Sequence, residues 1–327
     1  MHIKWQYMQR IIGFDIGGTK CAVNLAQWDG ETLSMLDKVR CDTNTAIPPE
    51  QQLELLCQAT ESMDLSGLTA VGISCGGPLD AQTGVILGPP NLPGWDHVEI
   101  CTYLEKRFDV PAYLQNDANA CALAEWKLGA GRGSRNMAFL TFGTGLGAGL
   151  ILNGQLYEGT NGNAGEVGHI RLDRFGPVGY GKTGAFEGFC SGGGLAQLGW
   201  MLASEQMQQG KCPAYFRKGM APGEVTAKEI AQAAAAGDET AKRVFAICGE
   251  QLGRGLAILI DILNLDRIVI GSIFARAENL LRPTMEKMIA QEALAMSAAC
   301  CTVVPAALGE KIGDYAALCV ALTKGTL

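Results

Sequence analysis

The chain has 327 residues, 48% of them hydrophobic and 18% charged, with a formal net charge of −7. Its length suggests about two domains at roughly 150 residues each, and the apolar share excludes a disordered or collagen-like chain. The acidic balance, 26 Lys and Arg against 33 Asp and Glu with no basic run, argues against nucleic acid or an anionic membrane as partner.

The polar opening segment, 1–10, lacks the apolar stretch of a secretory leader. Residues 11–15 read as a buried strand ending in a Gly-Gly turn, and 21–27 and 32–40 continue as strands, an antiparallel meander. Pro48 and Pro49 open a helix predicted to reach Met63, with Leu53, Leu56 and Cys57 on one face. A strand at 68–74, a helix at 96–108, a strand at 112–115 and a helix at 118–128 complete the order β-β-β-α-β-α-β-α. The glycine stretch 129–133 is a boundary signal.

Beyond it, 137–141 is again an apolar strand before a glycine turn, and 148–152 a returning strand. Laying one segment on the other pairs Asp15 with Thr141, Gly17 with Gly143, Gly18 with Thr144 and Thr19 with Gly145. Such a repeat suggests two related domains. Helices are predicted at 195–208, at 226–236 with a Thr226-x-x-Glu229 capping box, at 241–265, at 280–295 and at 314–323. Strands fall at 267–270 and 302–304. The longest apolar run, 255–265, is short and broken by Asp261, so no membrane span is expected. Twelve scattered cysteines, with no C-x-C or C-x-x-C pair, read as reduced and mostly buried thiols of a soluble, cytoplasmic protein.

Glycine is over-represented, 43 residues of 327 where about 7% is usual, and the excess leads to three motifs. Gly143-Thr-Gly-Leu-Gly-Ala148 matches a dinucleotide pattern, with Glu166 following. That chemistry needs a helix after the turn, whereas Asn153-Gly154 makes the next run one strand of a hairpin. Gly176-Pro-Val-Gly-Tyr-Gly-Lys-Thr183 matches a Walker loop literally. Its half-polar approach, 169–175, and the poor helix start after it favour a glycine-rich surface loop, with a P-loop NTPase as the lesser alternative.

Asp15-Ile-Gly17-Gly18-Thr19-Lys20 has the right context for its chemistry. A carboxylate at the end of a buried strand suits a hydrated Mg²⁺, glycines admit phosphate oxygens to backbone N–H groups, and Thr19 offers a hydroxyl. The plain alternative is an ordinary hairpin with a solvated Lys20, and the second copy at Thr141, Gly143, Thr144 and Gly145 weighs against it. Two such hairpins suit the phosphates of a nucleotide.

Phe14-Asp-Ile-Gly-Gly-Thr-Lys20, Gly76-Gly-Pro-Leu-Asp80, Asn91-Leu-Pro-Gly-Trp95, Asn116-Asp-Ala-Asn-Ala120, Leu140-Thr-Phe-Gly-Thr-Gly-Leu-Gly147 and Gly165-Glu-Val-Gly-His169 occur in that order. Together they resemble the ROK family of sugar kinases and sugar-responsive repressors, over about 11–325. The resemblance implies an α/β, actin/hexokinase-like (ribonuclease H-like) duplicated fold. It places a small domain at 10–117 plus 312–327, a large one at 118–311, and a cleft for ATP and a hexose. Asp117 corresponds to the family's general base, although Asn116 and Asp117 could equally cap the following helix. Gly77, Asn91, Asn116, Glu166, His169 and Glu187 match sugar-binding positions, and Gly271 falls where the adenosine pocket forms.

Many family members hold a zinc through a histidine and three cysteines. The counterpart of that histidine is His169, but Val178, Tyr180 and Ala185 stand where the thiolates would be, so no structural zinc is expected. Packing through Tyr180, Phe186 and Phe189 is then expected to hold the loop. The implied activity is ATP- and Mg²⁺-dependent transfer of phosphate to a hexose, most simply O6 of glucose, by a homodimer. The alternative is a sugar-responsive regulator without chemistry. Repressors of the family carry a helix-turn-helix before the first strand, and a strand beginning near residue 11 is expected to leave no room for one.

Overall fold

The computed structural model describes residues 8–324. The reading of the first residues as a leaderless polar start, and the last three residues of the expected small domain, lie outside the described residues. The chain divides into two units, one within Met1–Arg132, Leu156–Ala164 and Glu310–Leu327, the other formed by Gly133–Gln155 and Gly165–Gly309.

In the first unit, β1 (Gln9–Ile16), β2 (Lys20–Trp28) and β3 (Leu33–Asp42) form the expected meander. After α1 (Pro49–Gln58), β4 (Leu68–Cys75) joins β1 in parallel. A small hairpin, β5 (Leu79–Asp80) and β6 (Val85–Ile86), precedes α2 (Ile100–Phe108), β7 (Ala112–Asn116) and α3 (Asp117–Leu128). The second sheet repeats the meander with β8 (Met137–Phe142), β9 (Leu146–Leu152) and β10 (Gln155–Tyr157), of which β8, β9 and Gln155 lie in the second unit. There follow a hairpin of β11 (Val178–Gly179) and β12 (Lys182–Thr183), then α4 (Phe186–Phe189), α5 (Gly192–Gln208), α6 (Ala227–Ala235) and α7 (Glu239–Leu263). The unit closes with β13 (Arg267–Ile270), α8 (Ile273–Glu292), α9 (Ala295–Cys300) and β14 (Thr302–Pro305), and α10 (Ile312–Lys324) belongs to the first unit.

The two five-stranded sheets have the same order, β3-β2-β1-β4-β7 and β10-β9-β8-β13-β14. Each is antiparallel on its hairpin side and parallel on the other. The internal repeat seen in the sequence is therefore a repeat of topology, and the α/β duplicated fold holds.

Strand alternation sends Ile12 and Phe14 to one face of the first sheet, where they pack with Leu53, Leu56 and Leu104. Ile11, Ala26 and Ala70 face the other way, onto Leu318, Ala321 and Leu322 of α10. The second core gathers Leu140, Phe142, Phe186, Phe245, Leu252 and Phe274.

Several boundaries differ from the sequence reading. The first helix stops at Gln58, well before Met63, because the Thr60 hydroxyl donates to the Cys57 carbonyl at 2.7 Å and the chain turns. The second starts at Ile100 rather than 96, because Val98 pairs its backbone with Ile86 as an isolated β-bridge. The third long helix of the second half starts at Ile273 rather than 280, with a kink at Ala277. The unit boundary falls at Arg132/Gly133, inside the glycine stretch, and not at 117/118. Helix α3 stays with the first unit because it packs on α10.

Helix α10 lies close across β1 and β4 because Gly13 and Gly72 have no side chain. A Cβ at Gly13 would stand 2.9 Å from the Leu318 nitrogen, and one at Gly72 would run into the Ala317 carbonyl. Gly72→Ala is therefore expected to destabilise the protein by about 1–3 kcal/mol through overpacking, read as a lower urea midpoint; an unchanged midpoint would show that the helix yields freely.

Candidate functional site

In the first unit, the turn between β1 and β2 is tightened by a Gly17 N–H donating to the Lys20 carbonyl at 3.1 Å. Thr43, which the sequence reading did not single out, pins it from outside: its hydroxyl donates to Gly17 O at 2.6 Å, and its N–H to Thr19 O at 2.9 Å. Thr19 and Lys20 are exposed on this turn. A Cβ on Gly18 would sit 2.8 Å from the Asn91 Cβ, and Gly76 also borders the Asn91 amide. The glycine turn and Asn91 are thus packed together. Gly77 follows beside them, with open space where a side chain would be.

Asp15, one residue before the end of β1, faces the start of α10 at Gly313. Burial first, then the carboxylates of Asp117 and Asp314, push its pKa from an ordinary 3.8 up to about 6, with Lys38 and Arg40 opposing. Asp314 is itself ion-paired with Lys38 and, at 3.3 Å, with Arg40. Among the described residues no group of three His, Cys, Asp or Glu side chains could hold a metal ion. Asp15 alone, a carboxylate surrounded by negative charge beside a glycine turn, fits a cation that draws its remaining ligands from water and phosphate, as Mg²⁺ does.

Asn116 and Asp117 stand where the parallel strand β7 passes into α3. The Asn116 side-chain oxygen accepts the Asn119 N–H at 3.0 Å and caps the helix. That leaves its NH₂ group to donate elsewhere. Asp117 is the first helical residue, exposed, and its carboxylate accepts the Ala118 N–H at 2.8 Å. The Asn116 side chain thus caps the helix, and the Asp117 carboxylate stays exposed beside it.

In the second unit, the turn at 143–145 is followed by a strand, so the dinucleotide pattern is a hairpin. The Thr141 hydroxyl accepts the Gly147 N–H at 3.0 Å and braces this hairpin from within. Glu187, on the short helix α4, accepts the Leu146 N–H at 3.0 Å, and a Cβ on Gly145 would lie 2.8 Å from the same carboxylate. Glu166 and His169 flank a single 3₁₀ turn with exposed side chains and buried Val167 and Gly168 between them.

The literal Walker match is a β-hairpin whose turn residues, Tyr180 and Gly181, have φ of +44° and +74°. No helix follows directly and no phosphate cradle is formed there. The Gln197 amide clamps Val178, accepting from its N–H at 3.0 Å and donating to its carbonyl at 2.9 Å. Lys182 donates to the His169 carbonyl at 2.6 Å, and the Tyr180 ring meets the His169 ring edge-on at 5.1 Å. Phe186 and Phe189 anchor the base of the loop in the core.

A cavity of about 910 Å³ opens beside Gly143 and Thr144. Its floor is the start of α5, where Gly192 donates its N–H to the Gly143 carbonyl at 2.8 Å and Ser191 caps the helix. The first amides of a 17-residue helix make a favourable place for an anion. Apolar walls come from Val225, Ala231 and Phe245, and polar ones from Lys228, Gln232 and Arg276. Gly271 is not on the wall; its neighbours Ser272 and Ile273 are. Gly192 and Gly193 also line the cavity. The sequence signals that could have found this cavity were the Gly192–Gly194 helix start and the Thr226 capping box, which does form.

The ROK family model matches residues 11–324. The glucokinase of Thermotoga maritima is 31% identical over 283 residues, which is 86% of this chain and 87% of that one. A ROK family glucokinase from Streptomyces griseus, solved in complex with glucose and AMPPNP, is 29% identical with a TM-score of 0.72, over 96% of this chain and 99% of that one. The xylose repressor of Caldicellulosiruptor bescii is 29% identical over 80% of this chain but only 65% of its own.

The raised pKa of Asp15 gives a pH-dependent stability whose sign is fixed. Stabilisation from its protonated form is complete below pH 4 and is lost as pH rises through about 6. Without magnesium, the unfolding free energy from urea titration should therefore fall between pH 4 and 7, by an upper figure of about 3 kcal/mol. Asp15→Asn should remove most of that fall; an equal fall in the variant would assign it to other groups.

Proposed function

Because the chain belongs to the ROK family, we propose that it is an ATP-dependent hexose kinase with Asp117 as its general base. The observation that carries this reading is the exposed Asp117 carboxylate, set beside the Asn116 cap at the end of β7 and near enough to the half-buried Asp15 to raise its pKa. The family also contains repressors, so the catalytic reading rests on this carboxylate rather than on the fold.

The chemistry then divides among named groups. Asp117 accepts the proton of the sugar hydroxyl as its oxygen attacks the γ-phosphorus in line, most simply O6 of glucose. Asn91, Asn116 and the Gly77 backbone are the first unit's groups for sugar hydroxyls, and Glu166, His169 and Glu187 are the second unit's. Glu187 does so with one oxygen already committed to Leu146. Phosphates are met by backbone N–H groups at Gly18 and Gly145, with Thr19, Lys20 and Thr144 beside them, while Gly17 and Gly143 shape the two turns by donating their own N–H groups to the Lys20 and Gly145 carbonyls at 3.1 Å. Thr141 acts through the hairpin it braces. The nucleoside lies in the cavity lined by Phe245, Gln232 and Arg276. Asp15 would hold Mg²⁺ through water, and the ion, when bound, neutralises charge on the β- and γ-phosphates.

No helix of the described residues is long and apolar enough to cross a membrane. We place the reaction in the cytoplasm and the chain in a homodimer.

Asp117→Asn should lower turnover by at least about 10²-fold in an ADP-release assay over a panel of hexoses, while calorimetric sugar binding stays within a few-fold. Retained turnover would remove Asp117 from its role, and loss of sugar binding would make it a ligand instead. Ala231→Trp, which fills the cavity, should raise the KM for ATP at least about 10-fold and leave sugar affinity unchanged; an unchanged KM would place the nucleoside elsewhere.

A further inference from the structure

Behind the Asn116–Asp117 turn runs a chain of polar side chains with no part in the reaction as described. Gln115, the residue before the cap, is 2% exposed. Its Nε2 donates to the Glu158 carboxylate at 2.7 Å. Its Oε1 accepts the Asn116 N–H at 3.0 Å and the Nδ2 of buried Asn119 at 3.1 Å. Glu158 in turn pairs with Lys324, near the end of α10, at 3.0 Å. The segment 158–164 that presents it is closed by the Ala164 N–H on the Glu158 carbonyl at 3.1 Å.

The direction of this chain is set by charge. An ionised carboxylate only accepts, so Gln115 must turn its NH₂ group toward Glu158 and its oxygen toward the catalytic turn. In the opposite orientation the Gln115 NH₂ would confront the fixed Asn116 N–H inside a buried site, which is costly. Asn119 also gives its own N–H to the Asn116 cap. The helix start carrying Asp117 is thus held by a series that ends on one anion, with Lys324 fixing that anion in place.

We propose that Glu158 is a positioning residue for Asp117: its charge fixes the Gln115 amide, which holds the Asn116 N–H and hence the helix turn on which the base sits. This rests on the reading of Asp117 as general base. Glu158 need not touch substrate. Its effect falls on the chemical step, where misplacement of a reacting group by about 1 Å costs on the order of 10²-fold, and less on sugar binding, which other side chains share.

The test is Glu158→Gln, which keeps the shape but lets the amide of Gln115 turn either way. On the hexose that the wild type turns over fastest, kcat should fall about 10-fold while the calorimetric sugar Kd and the Tm stay close to wild type. Lys324→Met should lower kcat in the same sense, and Lys324→Arg should restore it, so the proposal remains decidable if Glu158→Gln does not fold. Asp117→Asn is run alongside. If it is inactive while Glu158→Gln and Lys324→Met both keep full kcat, positioning by Glu158 is refuted and the base stands. If Asp117→Asn itself turns over, the underlying reading fails first. A Glu158→Gln variant that loses Tm and sugar affinity with kcat intact makes Glu158 a structural residue and overturns the proposal.

Discussion

The missing Cβ at two glycine turns is the constraint on which the rest of this protein depends. In the first unit Gly18 lies against Asn91, and in the second Gly145 lies against Glu187. The same absence exposes backbone N–H groups to phosphate and lets the turn press on a side chain assigned to the sugar. The groups proposed for phosphate and for sugar are therefore neighbours within each unit. A side chain at either glycine would separate them before it blocked any ligand. The two hairpins also have equal turns, 17–19 and 143–145, so the duplication preserved turn length as well as strand order.

The elements most legible in the sequence were those whose signal is local. The apolar runs of β1, β8 and β13, the Asn153-Gly154 turn and the Thr226 capping box each express a pattern within a few residues, and each forms. The offset that aligns Asp15 with Thr141 worked because both hairpins keep the same register. What could not be read was non-local. The cavity beside Gly143 takes its walls from α5, α6, α7 and α8, and no segment of it announces a pocket alone. Helix α8 was started late because Ala277 breaks its periodicity and Pro283 lies inside it. The Gln115–Glu158–Lys324 series joins residues far apart in the chain and carries no motif at all.

The Gly176–Thr183 segment shows the opposite failure, a strong pattern without its context. Its letters match a phosphate loop, but the positive φ of Tyr180 and Gly181 builds a two-residue hairpin turn. The loop is tied down by a bidentate Gln197, by Lys182 on the His169 carbonyl and by aromatic contact from Tyr180. Hydrogen bonds and packing here fix the backbone carrying His169 and Glu187. Val178 and Tyr180 remain exposed, so the fastening comes from their backbone and ring edge rather than from burial.

Asp15 carries the energetic side of the argument. An Asn of the same shape would fold without the cost of an ionised, buried carboxylate, yet a neutral amide offers little to a hydrated divalent cation. The surroundings lessen that cost only indirectly. Lys38 and Arg40 are paired with Asp314, and only the remainder of their field reaches Asp15, where burial and two carboxylates outweigh it. A closer cation would lower the cost further, but it would also compete with the metal for the same oxygen. On the proposed metal-binding role, the residual destabilisation is what an available carboxylate requires, and its relief on binding would add to the affinity for the cation. Stability at this position and readiness for a cation are opposed, and the side chains around Asp15 favour the second.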